Sequence, residues 1–112
     1  MKFSDGSALR ADYWRLIKDG KARLSSFDHA QKYGLPAPIN AVRELAKELH
    51  DKLVLKACLD CQTGDLLFDF SGRIHLQVLN FTGYEVWEMS FREGTREFSN
   101  YVYRLQTLES GR

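Results

Sequence analysis

From Gly64 to Phe91 the chain alternates apolar and polar residues with a period of two, interrupted only by short clusters of turn formers. Leu66, Phe68 and Phe70 alternate with Leu67 and Asp69, Ile74, Leu76 and Val78 alternate with His75 and Gln77, and Trp87, Met89 and Phe91 alternate with Glu88 and Ser90. Successive side chains leave a strand on opposite sides, so this pattern builds a sheet with one dry face. Ser71-Gly72 supplies one tight connection, with Gly72 free to take the positive φ that a short hairpin demands. Asn80-Phe81-Thr82-Gly83 supplies the next. A strand from Leu53 precedes the set, and Glu93-Gly94 turns into a further strand over residues 95–98. The expectation is an antiparallel meander of about five or six strands.

One face of that sheet needs a cover. Pro36-Ala37-Pro38 forces an extended lead-in, Asn40 is a good cap, and Val42, Leu45, Ala46 and Leu49 recur at helical spacing, which predicts a helix over residues 40–50. Arg43, Glu44, Lys47 and Glu48 form its wet side. The N-terminal segment carries two conflicting signals. Leu9, Tyr13, Leu16 and Ile17 fit a helical stripe that Ser7 caps and Gly20 stops. Residues 13–26 also fit a hairpin closed by Asp19-Gly20. The Ala, Leu and Arg content favours the helix. Residues 25–34 predict a capped helical turn ending at Gly34. The fold class is therefore α+β: a single domain over residues 1–112, with an antiparallel sheet packed on one main helix and an N-terminal helical segment.

At 112 residues and 44% hydrophobic composition, the chain should bury roughly 65% of its unfolded surface without staples. Sixteen basic residues face fifteen acidic ones, so no global field draws it to nucleic acid or an acidic membrane. No apolar run approaches the length of a membrane span, and residues 1–6 lack the apolar core of a signal peptide, so a cytoplasmic location is expected. Cys58 and Cys61 have the spacing of a zinc or redox pair. A structural zinc site wants four ligands, and residues three apart on a strand point to opposite faces. They are expected to be ordinary reduced cysteines.

Three polar groupings deserve a chemical test. Ser25, Ser26, Asp28 and His29 bring a nucleophile, an acid and a base together in sequence, but residues adjacent on a turn diverge in space, and no Gly-x-Ser-x-Gly elbow accompanies them. Capping is the expected role of Ser26 and Asp28. Glu85 shares a face with Trp87 and is expected to tie down the Asn80 to Gly83 loop, whose amides need acceptors. His29, His50 and His75 lack the spacing that puts two ligands on one helix face, so no metal and no cofactor is expected. Binding is the better-supported use. Tyr33, Tyr84, Tyr101 and Tyr103 with Arg92, Arg96 and Arg104 are of the types that dominate interface hot spots.

Ser25-Ser26-x-Asp28-His29-x-Gln31-x-Tyr33-Gly34-Leu35-Pro36-x-Pro38, followed by Gly64-Asp65-Leu66, Leu76-Gln77-Val78 and Gly83-Tyr84-Glu85-x-Trp87, resembles a family of small bacterial proteins. Some of its members look like immunity proteins of polymorphic-toxin systems. The similarity runs over residues 14–100. It implies an α+β domain and a protein partner; no activity is attached to the family, so no catalytic residue carries over.

The expected function is a non-enzymatic protein-binding module, in its most specific form a toxin-immunity protein, with Asp28, His29, Tyr33, Tyr84, Glu85 and Trp87 near the recognition surface. A second copy of the chain is the other candidate partner. The alternative is a small-molecule-binding protein or minor enzyme with a pocket between residues 25–38 and the sheet.

Overall fold

The computed structural model describes residues 1–60, 62–84 and 86–91, together with the backbone of 96–98. Its eight strands are β1 (Ala8–Ala11), β2 (Trp14–Lys18), β3 (Lys21–Ser25), β4 (Val54–Leu59), β5 (Leu66–Phe70), β6 (Ile74–Val78), β7 (Trp87–Ser90) and β8 (Arg96–Phe98). One helix, α1 (Ala41–Leu49), and a single 3-10 turn at Ser26–Asp28 complete the described elements.

The α+β class and the antiparallel five-stranded sheet follow the alternation in the sequence. That sheet has the order β3-β2-β6-β5-β4, and a second, three-stranded sheet has the order β1-β7-β8. The inward residues line up in rows across neighbouring strands. Trp14 pairs with Val78 and Val78 with Leu66, while Leu16 pairs with Leu76 and Leu76 with Phe68. All six are buried, because each lies on the dry side of its strand. Trp87, with no exposed surface, is among the largest side chains at the centre of the core.

The N-terminal helical segment is not present. Residues 8–18 form β1 and β2 instead, and β2 turns into β3 through Asp19 and Gly20, with φ of 52° and 79°. Positive φ at both central residues is the geometry that lets a two-residue turn follow the twist of its strands. Tertiary pairing decides between the two local signals. Without β2 the inner edge of β6 would carry a row of unpaired amides, and β2 closes it in continuous register from Trp14↔Val78 to Lys18↔Ile74. Strand β7 correspondingly leaves the sheet that holds β6 and pairs with β1, Leu9 opposite Met89 and Ala11 opposite Trp87.

Helix α1 begins where expected. Asn40 Oδ1 accepts from the Arg43 amide at 3.1 Å, satisfying one of the first-turn donors. Ala41 and Leu45 are buried, but Val42, on the same apolar stripe, is 67% exposed. The helix therefore covers the sheet incompletely, and a cleft opens along its side. Among the described residues, no helix is long and apolar enough to cross a membrane.

Candidate functional site

The turn at residues 25–29 is held by hydrogen bonds from its own polar side chains. Ser25 Oγ accepts from the Phe27 amide at 3.2 Å, and Asp28 Oδ2 accepts from the Ser25 amide at 2.9 Å, a reciprocal capping box. Ser26 Oγ accepts from the Trp14 amide at 3.1 Å, which fastens the turn to β2. His29 Nδ1 accepts from the Ala41 amide at 3.1 Å, so the imidazole satisfies a donor at the start of α1. The hydroxyls, the carboxylate and the imidazole are thus each bonded to the backbone rather than to one another. A nucleophile-base-acid relay is not formed. Asp28 and the expected capping role agree, with Ser25 rather than Ser26 as the capping hydroxyl.

Asp28 has a second partner. The Tyr33 hydroxyl donates to Asp28 Oδ1 at 3.0 Å, and the carboxylate beside it pushes the Tyr33 phenol above the usual tyrosine range. Tyr33 itself has φ of 46°, a left-handed backbone that costs roughly 1–2 kcal/mol for a residue with a side chain. Strain of this kind tends to collect at functional segments. Here it presents a largely exposed ring.

The second expected grouping is anchored from below. Trp87 Nε1 donates to the Gly64 carbonyl at 2.7 Å, and Asp65 Oδ1 next to it accepts from the Asn80 amide at 2.7 Å. Asn80 Nδ2 in turn donates to the Thr63 carbonyl at 2.8 Å. Trp87 consequently belongs to the core and offers nothing to a partner, a correction to its place among the surface residues. Its burial follows from the alternation that sets it opposite Ala11. Asp65 holds the loop at Asn80, and Tyr84, 84% exposed, follows in that loop. Glu85 lies outside the described residues, as do Cys61, Arg92, Tyr101, Tyr103 and Arg104.

Three aromatic residues connect the two groupings. Tyr13 stacks on Phe27 with ring centroids 6.0 Å apart and meets Phe81 at 5.2 Å. The row joins the turn at 26–28 to the loop at 80–84. Phe27 is 63% exposed and Phe81 57%, although each has a ring neighbour. Sequence reasoning did not single out Phe27, Tyr13 or Phe81. The available signal was position: Phe27 and Phe81 each stand among turn formers, where no alternation assigns them to the dry face.

Two clefts on the described surface stand out, and neither of these is lined by residues 25–38. One of about 530 Å³ lies between α1 and β1. The other, broader one runs along Phe68, Phe70 and Met89. Among the described residues no three His, Cys, Asp or Glu side chains gather as metal ligands would. His75 Nδ1 and Asp69 Oδ1 lie 2.6 Å apart on the outer face of the sheet, where the register sets Ile17 and Lys56 beside them. Compared with protein families, curated proteins and solved structures, the chain matches none.

Proposed function

We propose that this protein is a non-enzymatic protein-binding module of the bacterial cytoplasm, and that it grips its partner through the aromatic row Phe27-Tyr13-Phe81, with Tyr33 and Tyr84 on either side. The row itself carries the proposal. Two phenylalanines more than half exposed and in line with a tyrosine are a costly surface for a protein with no partner. Aromatic rings supply contact area at little entropic cost and are enriched in interface cores. The rigid frame beneath them favours binding further, because a surface held in place by Asp28, Asp65 and the buried Trp87 loses little freedom on docking.

The engagement of Ser25, Ser26, Asp28 and His29 in backbone hydrogen bonds weighs against catalysis at this turn. The sequence resemblance over residues 14–100 favours a toxin as the partner, and so a neutralising role. The test is co-purification of tagged full-length protein from its native host, followed by measured affinity of the recovered protein for wild type and for a Phe27→Ser, Phe81→Ser double variant. Recovery of a partner whose affinity falls at least tenfold in the variant supports the proposal. A partner that binds both equally, or none at all, refutes it. If the protein encoded next to this one is a toxin, co-expression gives a second readout, survival of the host cell.

A further inference from the structure

The cleft between α1 and β1 has the build of a small-molecule site that is separate from the aromatic row. Its floor is apolar and buried, made by Leu9, Trp14, Leu45 and Leu76. Its helical wall is the stripe Val42, Ala46 and Leu49, of which Val42 and Ala46 are left in the open. The volume of about 530 Å³ falls within the usual span of ligand pockets, roughly 300–1,000 Å³.

Two further features say what would occupy it. The charged side chains of the lining have one sign: Lys2 and Arg10 are basic, and no aspartate or glutamate contributes. Arg10 is paired with Asp12 and His50 with Asp51, but both pairs are exposed and of the weak kind that a bound anion can replace. The floor holds a polar donor as well. The Trp14 indole N–H donates to no acceptor among the described residues and is not sealed from solvent, so it is open to a ligand, whereas that of Trp87 has the Gly64 carbonyl.

We propose that this cleft binds a free amphipathic carboxylate, with the apolar body against Leu45 and Leu76 and the carboxylate toward Lys2, Arg10 and the Trp14 N–H. A carboxylate matches the cationic lining and accepts hydrogen bonds only, which suits an unpartnered donor. The inference does not depend on the aromatic row being an interface.

The experiment is a titration of the full-length protein with decanoate, below the concentration at which it forms micelles, followed by two-dimensional amide and indole NMR. Two tryptophans give two indole signals, distinguished with Trp14→Phe. The expected result is a saturable shift of the Trp14 indole signal with little change at Trp87, at least tenfold weaker binding of decanol, and no shift with acetate. Val42→Glu places an acid at the mouth of the cleft at an exposed position that the fold tolerates, and it should weaken decanoate at least tenfold. Absence of a saturable Trp14 shift overturns the proposal, as does equal binding by decanol or undiminished binding by Val42→Glu. Trp14 shifts that follow protein concentration with no added ligand also overturn it, since the occupant would then be a second copy of the chain.

Discussion

Tyr13 and Phe81 meet with ring centroids 5.2 Å apart, joining the connection between β1 and β2 to the loop that leaves β6. Phe27 extends the row on the other side of Tyr13. Because Phe27 and Phe81 are mostly exposed, their serine variants should remain folded and lose about 0.5–1.5 kcal/mol of stability for each ring pair removed. Urea unfolding followed by circular dichroism checks this. A loss well beyond that range would make the row a piece of the core rather than a surface.

Trp87 should behave in the opposite way. Trp87→Phe keeps most of the buried ring but leaves the Gly64 carbonyl without its donor, a cost of about 1–3 kcal/mol. Trp87→Ala adds a cavity and should cost about 3–5 kcal/mol. The same unfolding measurement separates the two. Loss of amide protection around Gly64, Asp65 and Asn80 in hydrogen exchange should accompany the phenylalanine variant, since the carbonyl and the carboxylate that hold this loop are neighbours in sequence.

His29 acts as a helix-capping acceptor. Removing it in His29→Ala leaves the Ala41 amide to water and should cost about 1 kcal/mol, comparable to loss of an N-cap side chain. The expected signature is faster hydrogen exchange at Ala41 and Val42 with no change in the sheet. A drop of several kcal/mol would instead assign His29 to the core.

The Tyr33–Asp28 bond gives a pH dependence with a definite sign. The carboxylate holds the Tyr33 phenol above its ordinary value, so the neutral hydroxyl is the form that the fold favours. Its stabilising effect is fully present below the ordinary tyrosine pKa of about 10 and is lost as pH rises through the higher folded value. Ultraviolet titration should find one tyrosine ionising later than in Asp28→Asn. Asp60 has the reverse sign: amides of Thr63 and Gln62 donate to its carboxylate and hold it below the usual range. That stabilisation is present above the ordinary aspartate pKa and disappears as pH falls through the lower folded value.

Much of this architecture was legible in the residues because it rests on local rules. Strands β5 and β6 follow from strict alternation, α1 from Asn40 and the spacing of Leu45 and Leu49, and the turn at 25–29 from capping side chains. The N-terminal hairpin was not, since Leu9, Tyr13, Leu16 and Ile17 satisfy a helical stripe as well as a strand. The choice is made by the edge of β6, a partner about 60 residues away that no local pattern can weigh. The candidate surface was legible only in part. Asp28, Tyr33 and Tyr84 stand out by residue type, but the rings that connect them converge only once Tyr13 is fixed at the start of β2 and Phe81 is held by the Asp65–Asn80 bond.

The central claim is that the row Phe27-Tyr13-Phe81 is a protein-binding surface, and the most direct measurement is calorimetric affinity of the co-purified partner for wild type, for Phe27→Ser with Phe81→Ser, and for Val42→Glu as a control outside the row. The account predicts at least a tenfold loss in the double variant, with the control unchanged and all three proteins folded. Equal affinity across the three, with the partner bound elsewhere, would contradict it.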